Sequence, residues 1–270
     1  RSWLGPDVTA GLVLTALLTA CTGPQPATEA STALHAPPAG PAPRFVEETG
    51  ASGLDHVYTG EQRFMVGGGV AFLDCNEDGL TDLFLPGGEG VAKLLRNTSA
   101  PGGALSFETS SARETSLTAV TGAYALDIDG DGHTDLAVLR NGENVLLRGY
   151  GDCRFGRGNE VWGFDGGGDW TTAFAAIWER DQAWPTLAVG NYIDLSQPGA
   201  PFGTCHANLL YRPEPGGGYA APLRLEPGYC ALSMLFTDWN GDGLADLRIS
   251  NDREYYRGGE EQLWHVPPGA

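Results

Sequence analysis

Three nine-residue segments of this chain carry the same arrangement of oxygen-bearing side chains. They are Asp74-Cys75-Asn76-Glu77-Asp78-Gly79-Leu80-Thr81-Asp82, Asp127-Ile128-Asp129-Gly130-Asp131-Gly132-His133-Thr134-Asp135 and Asp238-Trp239-Asn240-Gly241-Asp242-Gly243-Leu244-Ala245-Asp246. Asp or Asn stands at positions 1, 3, 5 and 9 of each, with Gly at position 6. A tight loop with this alternation turns every second side chain inward, and the glycine takes the sharp bend. Such a set suits a hard, oxygen-seeking cation, with the position-7 carbonyls of Leu80, His133 and Leu244 as further ligands. Calcium is the expected ion, because magnesium demands a stricter octahedral cage and transition metals prefer nitrogen or sulfur. The second loop, with four Asp, is expected to bind most tightly.

An EF-hand would need a bidentate Glu at position 12 and flanking helices. Position 12 is instead Leu85, Val138 and Ile249. The residues entering the loops are Val70-Ala71-Phe72-Leu73, Tyr124-Ala125-Leu126 and Met234-Leu235-Phe236. Those leaving are Leu83-Phe84-Leu85, Leu136-Ala137-Val138 and Leu247-Arg248-Ile249. Short apolar runs with β-branched and aromatic residues predict buried strands, so each unit is strand, cation loop, strand.

A fourth copy of the frame has lost its carboxylates. Aligning Leu187-Ala188-Val189 with Leu136-Ala137-Val138 puts Trp178, Arg180, Gln182 and Thr186 at the ligand positions. Loop starts then fall at 74, 127, 178 and 238, in steps of 53, 51 and 60 residues. That period implies a stacked or radial array, and four short strands per unit imply propeller blades. The third strands are Leu94-Leu95-Arg96-Asn97, Val145-Leu146-Leu147-Arg148 and Leu209-Leu210-Tyr211-Arg212, with Phe107 and Phe155 opening fourth strands.

Through these loops, the chain over residues 44–270 resembles the FG-GAP/VCBS repeat β-propellers, whose blades carry D-x-[DN]-x-D-G-x-x-D loops. Through Gly67-Gly68-Gly69-Val70-Ala71-Phe72 and Ser250-Asn251-Asp252 it is similar, more narrowly, to the bacterial cartilage-acidic-protein-like branch associated with ASPIC/UnbV domains. The ASPIC/UnbV segment itself is not among these residues. The resemblance implies an all-β propeller. Family propellers usually have seven blades, so the chain is expected to be a fragment truncated at both ends. It would hold three full blades and part of a fourth, with a closed four-bladed propeller as the alternative.

Val8 through Ala20 is patchily apolar and ends in Leu18-Thr19-Ala20-Cys21. A short apolar core before a small residue predicts a secretory signal, 1–21, rather than a spanning helix. The ending resembles a bacterial lipobox, which implies lipidation at Cys21, with an ordinary signal peptide as the competing reading. Residues 22–43 are rich in Pro, Ala and Thr and read as an extended tether. The expectation is an exported lipoprotein at the outer membrane, cell surface or periplasm, touching the membrane only through its lipid. The four other cysteines, Cys75, Cys153, Cys205 and Cys230, suggest two disulfides in an exported chain. Three pairings are open. Cys205–Cys230, which flank a hairpin-like region, is the favoured pair, leaving Cys75–Cys153.

Net charge is −18, from 16 basic and 34 acidic residues, and the ligand positions of the three loops supply ten of the carboxylates. Acidity is therefore mainly a property of the cation loops, and it argues against nucleic acid, which wants a basic stripe. No nucleophile elbow, P-loop or zincin motif occurs, and Gly88-Glu89-Gly90 reads as a turn. Trp162-Gly163-Phe164-Asp165-Gly166-Gly167-Gly168-Asp169-Trp170 reads as an inter-blade loop with anchoring aromatics, although acids between tryptophans could also bind a sugar. The expected function is a non-catalytic, calcium-stabilised scaffold that binds a protein or glycan. The alternative is a secreted carbohydrate-active enzyme on the same scaffold.

Overall fold

The computed structural model describes residues 40, 42, 44–197, 204–252 and 259–267. The signal segment, Cys21 and the tether apart from Gly40 and Ala42 lie outside the described residues. By its contacts the chain divides into Arg1–Val46 and Glu47–Ala270, and every strand belongs to the second unit.

Four antiparallel sheets follow one another along the chain, each a meander whose strand order is its sequence order. The first holds β1 (Ala71–Leu73), β2 (Asp82–Leu85), β3 (Lys93–Asn97) and β4 (Phe107–Thr109). The second holds β5 (Val120–Leu126), β6 (Asp135–Arg140), β7 (Val145–Gly149) and β8 (Phe155–Arg157). The third holds β9 (Thr171–Ile177), β10 (Thr186–Asn191), β11 (Asn208–Tyr211) and β12 (Leu223–Leu225). The fourth holds β13 (Ala231–Thr237), β14 (Asp246–Asn251) and β15 (Gln262–Trp264). Two short 3-10 turns, Gln62–Phe64 and Arg113–Thr115, are the only helical elements among the described residues. First strands are neighbours, β1 beside β5, β5 beside β9 and β9 beside β13, with no comparable contact joining β13 to β1. This all-β arrangement without a closed barrel is consistent with about four blades of an incomplete β-propeller, as the repeat length leads one to expect.

Hydrophobic burial runs between sheets. One cluster (Phe84, Leu94, Val120, Leu136, Val138) joins the first blade to the second, and another (Leu139, Leu146, Phe174, Leu187, Val189) the second to the third. A third cluster (Ala188, Leu210, Leu247, Ile249) continues to the fourth. Second strands therefore have neighbours on both faces. All six residues of β10 and all but Arg140 in β6 are buried, which is why these strands read as continuous apolar runs rather than alternating ones. Leu136, Leu187 and Leu247, the residues after loop position 9, are each wholly buried. Truncating any of them to Ala would cost about 2–5 kcal/mol.

A second device repeats at the start of each first strand. The pairing register slips at Thr121 in β5, at Thr172 in β9 and at Leu232 in β13, a β-bulge at the same place in three blades. The two bulged threonines bond forward: Thr121 Oγ1 donates to the Thr171 carbonyl at 2.6 Å, and Thr172 Oγ1 to that of Ala231. In the first blade Gly67-Gly68-Gly69 precedes β1, and Gly68 N–H donates to Thr121 O at 2.9 Å. A Cβ on Gly67 would stand 2.8 Å from that carbonyl, so the glycine is what allows the close approach.

Both disulfides form in the favoured pairing. Cys75–Cys153 spans 78 residues and ties the first cation loop to the β7–β8 turn of the next blade. Cys205–Cys230 spans 25 residues and brackets β11 and β12.

Candidate metal centres

Each cation loop connects the first strand of a blade to its second, and the three loops share one hydrogen-bond plan. The position-1 carboxylate accepts main-chain N–H groups of its own loop. Asp74 takes those of Asp78 (3.2 Å) and Gly79 (2.8 Å), Asp127 those of Gly130 (2.9 Å) and Gly132 (3.0 Å). Asp238 takes those of Gly241 (2.7 Å), Asp242 (3.1 Å) and Gly243 (2.9 Å). Position 5 accepts the position-7 N–H: Leu80 to Asp78 (2.8 Å), His133 to Asp131 (2.9 Å), Leu244 to Asp242 (2.8 Å). Turning those amides inward requires left-handed backbone at position 6, where Gly79, Gly132 and Gly243 have φ of 83°, 90° and 83°. Position 4 is left-handed too, in Glu77, Gly130 and Gly241 (φ 61°, 73° and 76°), a requirement that was not evident in the sequence because Glu77 masks it.

Position 9 does more than a ligand must. Asp82 is fully buried and accepts from Cys75 N–H (2.9 Å) and from Asn97 N–H on β3 (2.7 Å). Asp135, also fully buried, repeats this with Ile128 N–H (2.7 Å) and Gly149 N–H on β7 (2.8 Å). Each carboxylate clamps its loop to the third strand of the blade. Asp246 is 4% exposed and contacts His265 Nδ1 at 2.9 Å instead. Burial raises the Asp135 pKa to about 7 against the opposing pull of its two N–H donors. Asp82 is raised by burial in the same way.

The residues fit a hard cation. Asp127, Asp129 and Asp135 bring one carboxylate oxygen each within 4.8 Å of one another. In the first loop Asn76 Oδ1 is buried without a hydrogen-bond partner, while its Nδ2 donates to Asp78 at 2.8 Å. Asn240 Nδ2 donates to Asp242 at 2.9 Å in the third, the same amide orientation. An orphaned acceptor among carboxylates is what an oxygen-seeking ion would satisfy. Cys75, Asp82 and Cys153 also converge, but both sulfurs are spent in the disulfide, so this group offers no thiolate.

Two contacts escaped the sequence reading. Arg148, at the end of the third-strand run, sets its Nε 2.8 Å from Asp129 and its Nη2 2.9 Å from Asp131. A guanidinium thus already neutralises part of the second loop, and a cation must share those carboxylates with it. Burial raises Asp131, but the His133 N–H bond and Arg148 outweigh it, and the net shift is downward. Second, the side chain of His133, whose carbonyl alone was expected to serve the loop, meets Glu77 of the first loop at 2.5 Å. That contact raises the His133 pKa and adds a polar link beside the disulfide.

The fourth copy is in register, with Trp178, Arg180 and Gln182 in the β9–β10 loop and Thr186 opening β10. Thr186 Oγ1 donates to Glu179, which pairs with Arg212 at 3.2 Å. The Trp162–Trp170 segment links β8 to β9, and Trp162, Phe164 and Trp170 are buried. Tyr211 donates to Asp165 at 2.8 Å. These aromatics anchor the linker and offer no open face for stacking a sugar.

Sheets of this size, repeated with acidic loops between their first and second strands, define a class of blade-built repeat protein. Within it, residues 74–138, from the first loop through most of β6, match an FG-GAP-like repeat. No curated protein matches the chain.

Proposed function

We propose that this chain is a calcium-stabilised binding scaffold: a non-catalytic propeller of the cartilage-acidic-protein-like bacterial branch, exported and held at a membrane by a lipid on Cys21. One observation carries the calcium reading. Three loops present the same inward ligand plan, and the first leaves Asn76 Oδ1 without a partner. In that role the ion offsets the mutual repulsion of three or four carboxylates per loop and so favours the folded strand-loop-strand unit. The chain's own residues hold the geometry: the position-6 glycines turn the amides inward, and Asp82 and Asp135 fasten loop to sheet. The export and anchoring parts rest on Leu18-Thr19-Ala20-Cys21. They are tested by whether Cys21→Ser releases the protein from membranes.

A thermal melt in excess EDTA and in about 2 mM calcium tests the scaffold reading. For a Kd of about 10⁻⁴ M, mass action supplies about 1.8 kcal/mol per site. A marked upward shift in Tm is expected. A cooperative melt that calcium leaves unmoved would reduce the loops to acidic turns and remove the reading.

A further inference from the structure

We propose that a cavity at the end of the blades opposite the cation loops binds a neutral, polyhydroxylated ligand, a saccharide unit, through Asp169, His206, Asp194, Arg63, Asn141 and Trp170. This deepens the scaffold reading above and rests on it for the non-catalytic role.

In a meander, successive turns alternate between the two ends of the sheet. The cation loops join first to second strands, so the second-to-third connections and the inter-blade linkers gather at the other end. There Asn141 (β6–β7), Asp169 and Trp170 (β8–β9), and Asp194 and His206 (β10–β11), with Arg63 from the segment before β1, line a cavity of about 380 Å³. That volume lies within the range of small-ligand sites.

The polar groups are held in place. His206 lies between two carboxylates, Nδ1 3.1 Å from Asp169 and Nε2 3.7 Å from Asp194. Asn191 Nδ2 donates to Asp169 at 3.3 Å, and Ser196 N–H and Oγ donate to Asp194 at 2.9 and 2.6 Å. The neighbouring Cys205–Cys230 disulfide and the His206 N–H bond to Tyr192 O (2.9 Å) fix the strap that carries the histidine. Preorganised groups lose less freedom when a ligand arrives.

A second observation points to a missing partner. Trp170 lines the cavity and is 3% exposed, yet its indole Nε1 has no hydrogen-bond partner. Buried donors are rarely left unmatched, and a ligand seated against the indole edge, with a slight shift of the lining, would satisfy this one.

The chemistry of the lining selects the ligand class. Two carboxylates oppose an anion and Arg63, which forms no ion pair among the described residues, opposes a cation. A metal ion is not favoured, because the two carboxylates face different nitrogens of His206 and do not converge with it on one point. A hydroxyl both donates and accepts, so a ligand rich in hydroxyls meets acceptors at Asp169 and Asp194 and donors at Arg63, Asn141 and Trp170.

The test is binding of the full chain, in calcium, to an array of neutral mono- and oligosaccharides, with hits measured by calorimetry. Asp169→Asn, Trp170→Phe and Arg63→Ala follow, each checked by thermal melt. Binding of at least one neutral saccharide is expected, weakened about tenfold or more by Asp169→Asn and severalfold by Trp170→Phe, which keeps an aromatic ring and removes the donor. If Asp169→Asn fails to fold, Trp170→Phe and Arg63→Ala decide. A silent array, retention of charged saccharides alone, or binding that all folded variants preserve would overturn the inference. Those outcomes leave a calcium-dependent melt intact, whereas loss of the calcium shift with the saccharide still bound would remove the scaffold reading and keep this site.

Discussion

The second and third blades have the same strands and opposite loops. Eight residues separate β5 from β6 and β9 from β10, and the flanking strands are buried alike. In the second blade the loop gathers four Asp, and Asp135 bolts it to the third strand by accepting Gly149 N–H. In the third blade Thr186 occupies the place of Asp135, and the bolt is a side-chain pair: Arg212 from the end of β11 against Glu179. The left-handed turn at position 4 survives as Asp181 (φ 66°), while the position-6 glycine has become Ala183. A blade therefore needs a bend at position 4 and a cross-link from loop to third strand. In blade three that cross-link is the Glu179–Arg212 pair, supplied from within the chain. Blade two is intermediate, because Arg148, at the third-strand position matching Arg212, already contacts Asp129 and Asp131.

The sharpest way to break this comparison is to remove each blade's own bolt. Glu179→Ala leaves Arg212 as a largely buried, unpaired charge and should cost about 3 kcal/mol, equally in EDTA and in calcium. A loss that calcium restores would mean that blade three also binds metal. Asp127→Ala should act the other way. Its cost should appear mainly in calcium, as loss of about 1.8 kcal/mol of ligand stabilisation for a site with Kd of about 10⁻⁴ M at about 2 mM ion. Equal melting losses with and without calcium would contradict it.

Two further effects sharpen the picture of blade two. Arg148→Met removes the internal competitor, and calcium affinity of that loop, measured by titration calorimetry, should rise about threefold to tenfold. Unchanged or weaker binding would show that the guanidinium supports the site rather than competes for it. The other effect is in pH. Asp135 has a folded-state pKa raised to about 7 by burial. Between its unfolded value and about 7 the folded form holds more protons than the unfolded one. Its contribution to stability is therefore fully present at low pH and lost as pH rises through that window. In EDTA, melts from pH 5 to 8 should show this decline, and calcium, by favouring the carboxylate, should flatten it. Asp135→Asn should flatten it as well. A slope identical with and without calcium would disconnect Asp135 from the ion.

The parts legible in the sequence were those written in short-range pattern. The strand-loop-strand units, the lost ligands at Trp178 through Thr186, the third strands and the fourth strands at Phe107 and Phe155 all follow from apolar runs punctuated by Asp and Gly. A strand's period and a loop's ligand spacing are local properties of the chain. The Cys205–Cys230 pair was half-local, since its ends bracket one hairpin. Other features were illegible for a physical reason. Arg148 meets Asp129, Arg212 meets Glu179, and His133 meets Glu77 only because the sheets bring distant segments together. The three Arg at third-strand ends were visible as an echo, yet Arg96 turns to Glu108 rather than to its loop, so the echo alone could not assign a role. Likewise the cavity around His206 draws on residues from 63 to 206, which no local window contains. Sequence by itself settled the strand-loop-strand units and where oxygen-bearing side chains cluster, because both depend on neighbours a few residues away. Only the tertiary structure decided what each charge faces and which donor is left without a partner, because packing sets those distances.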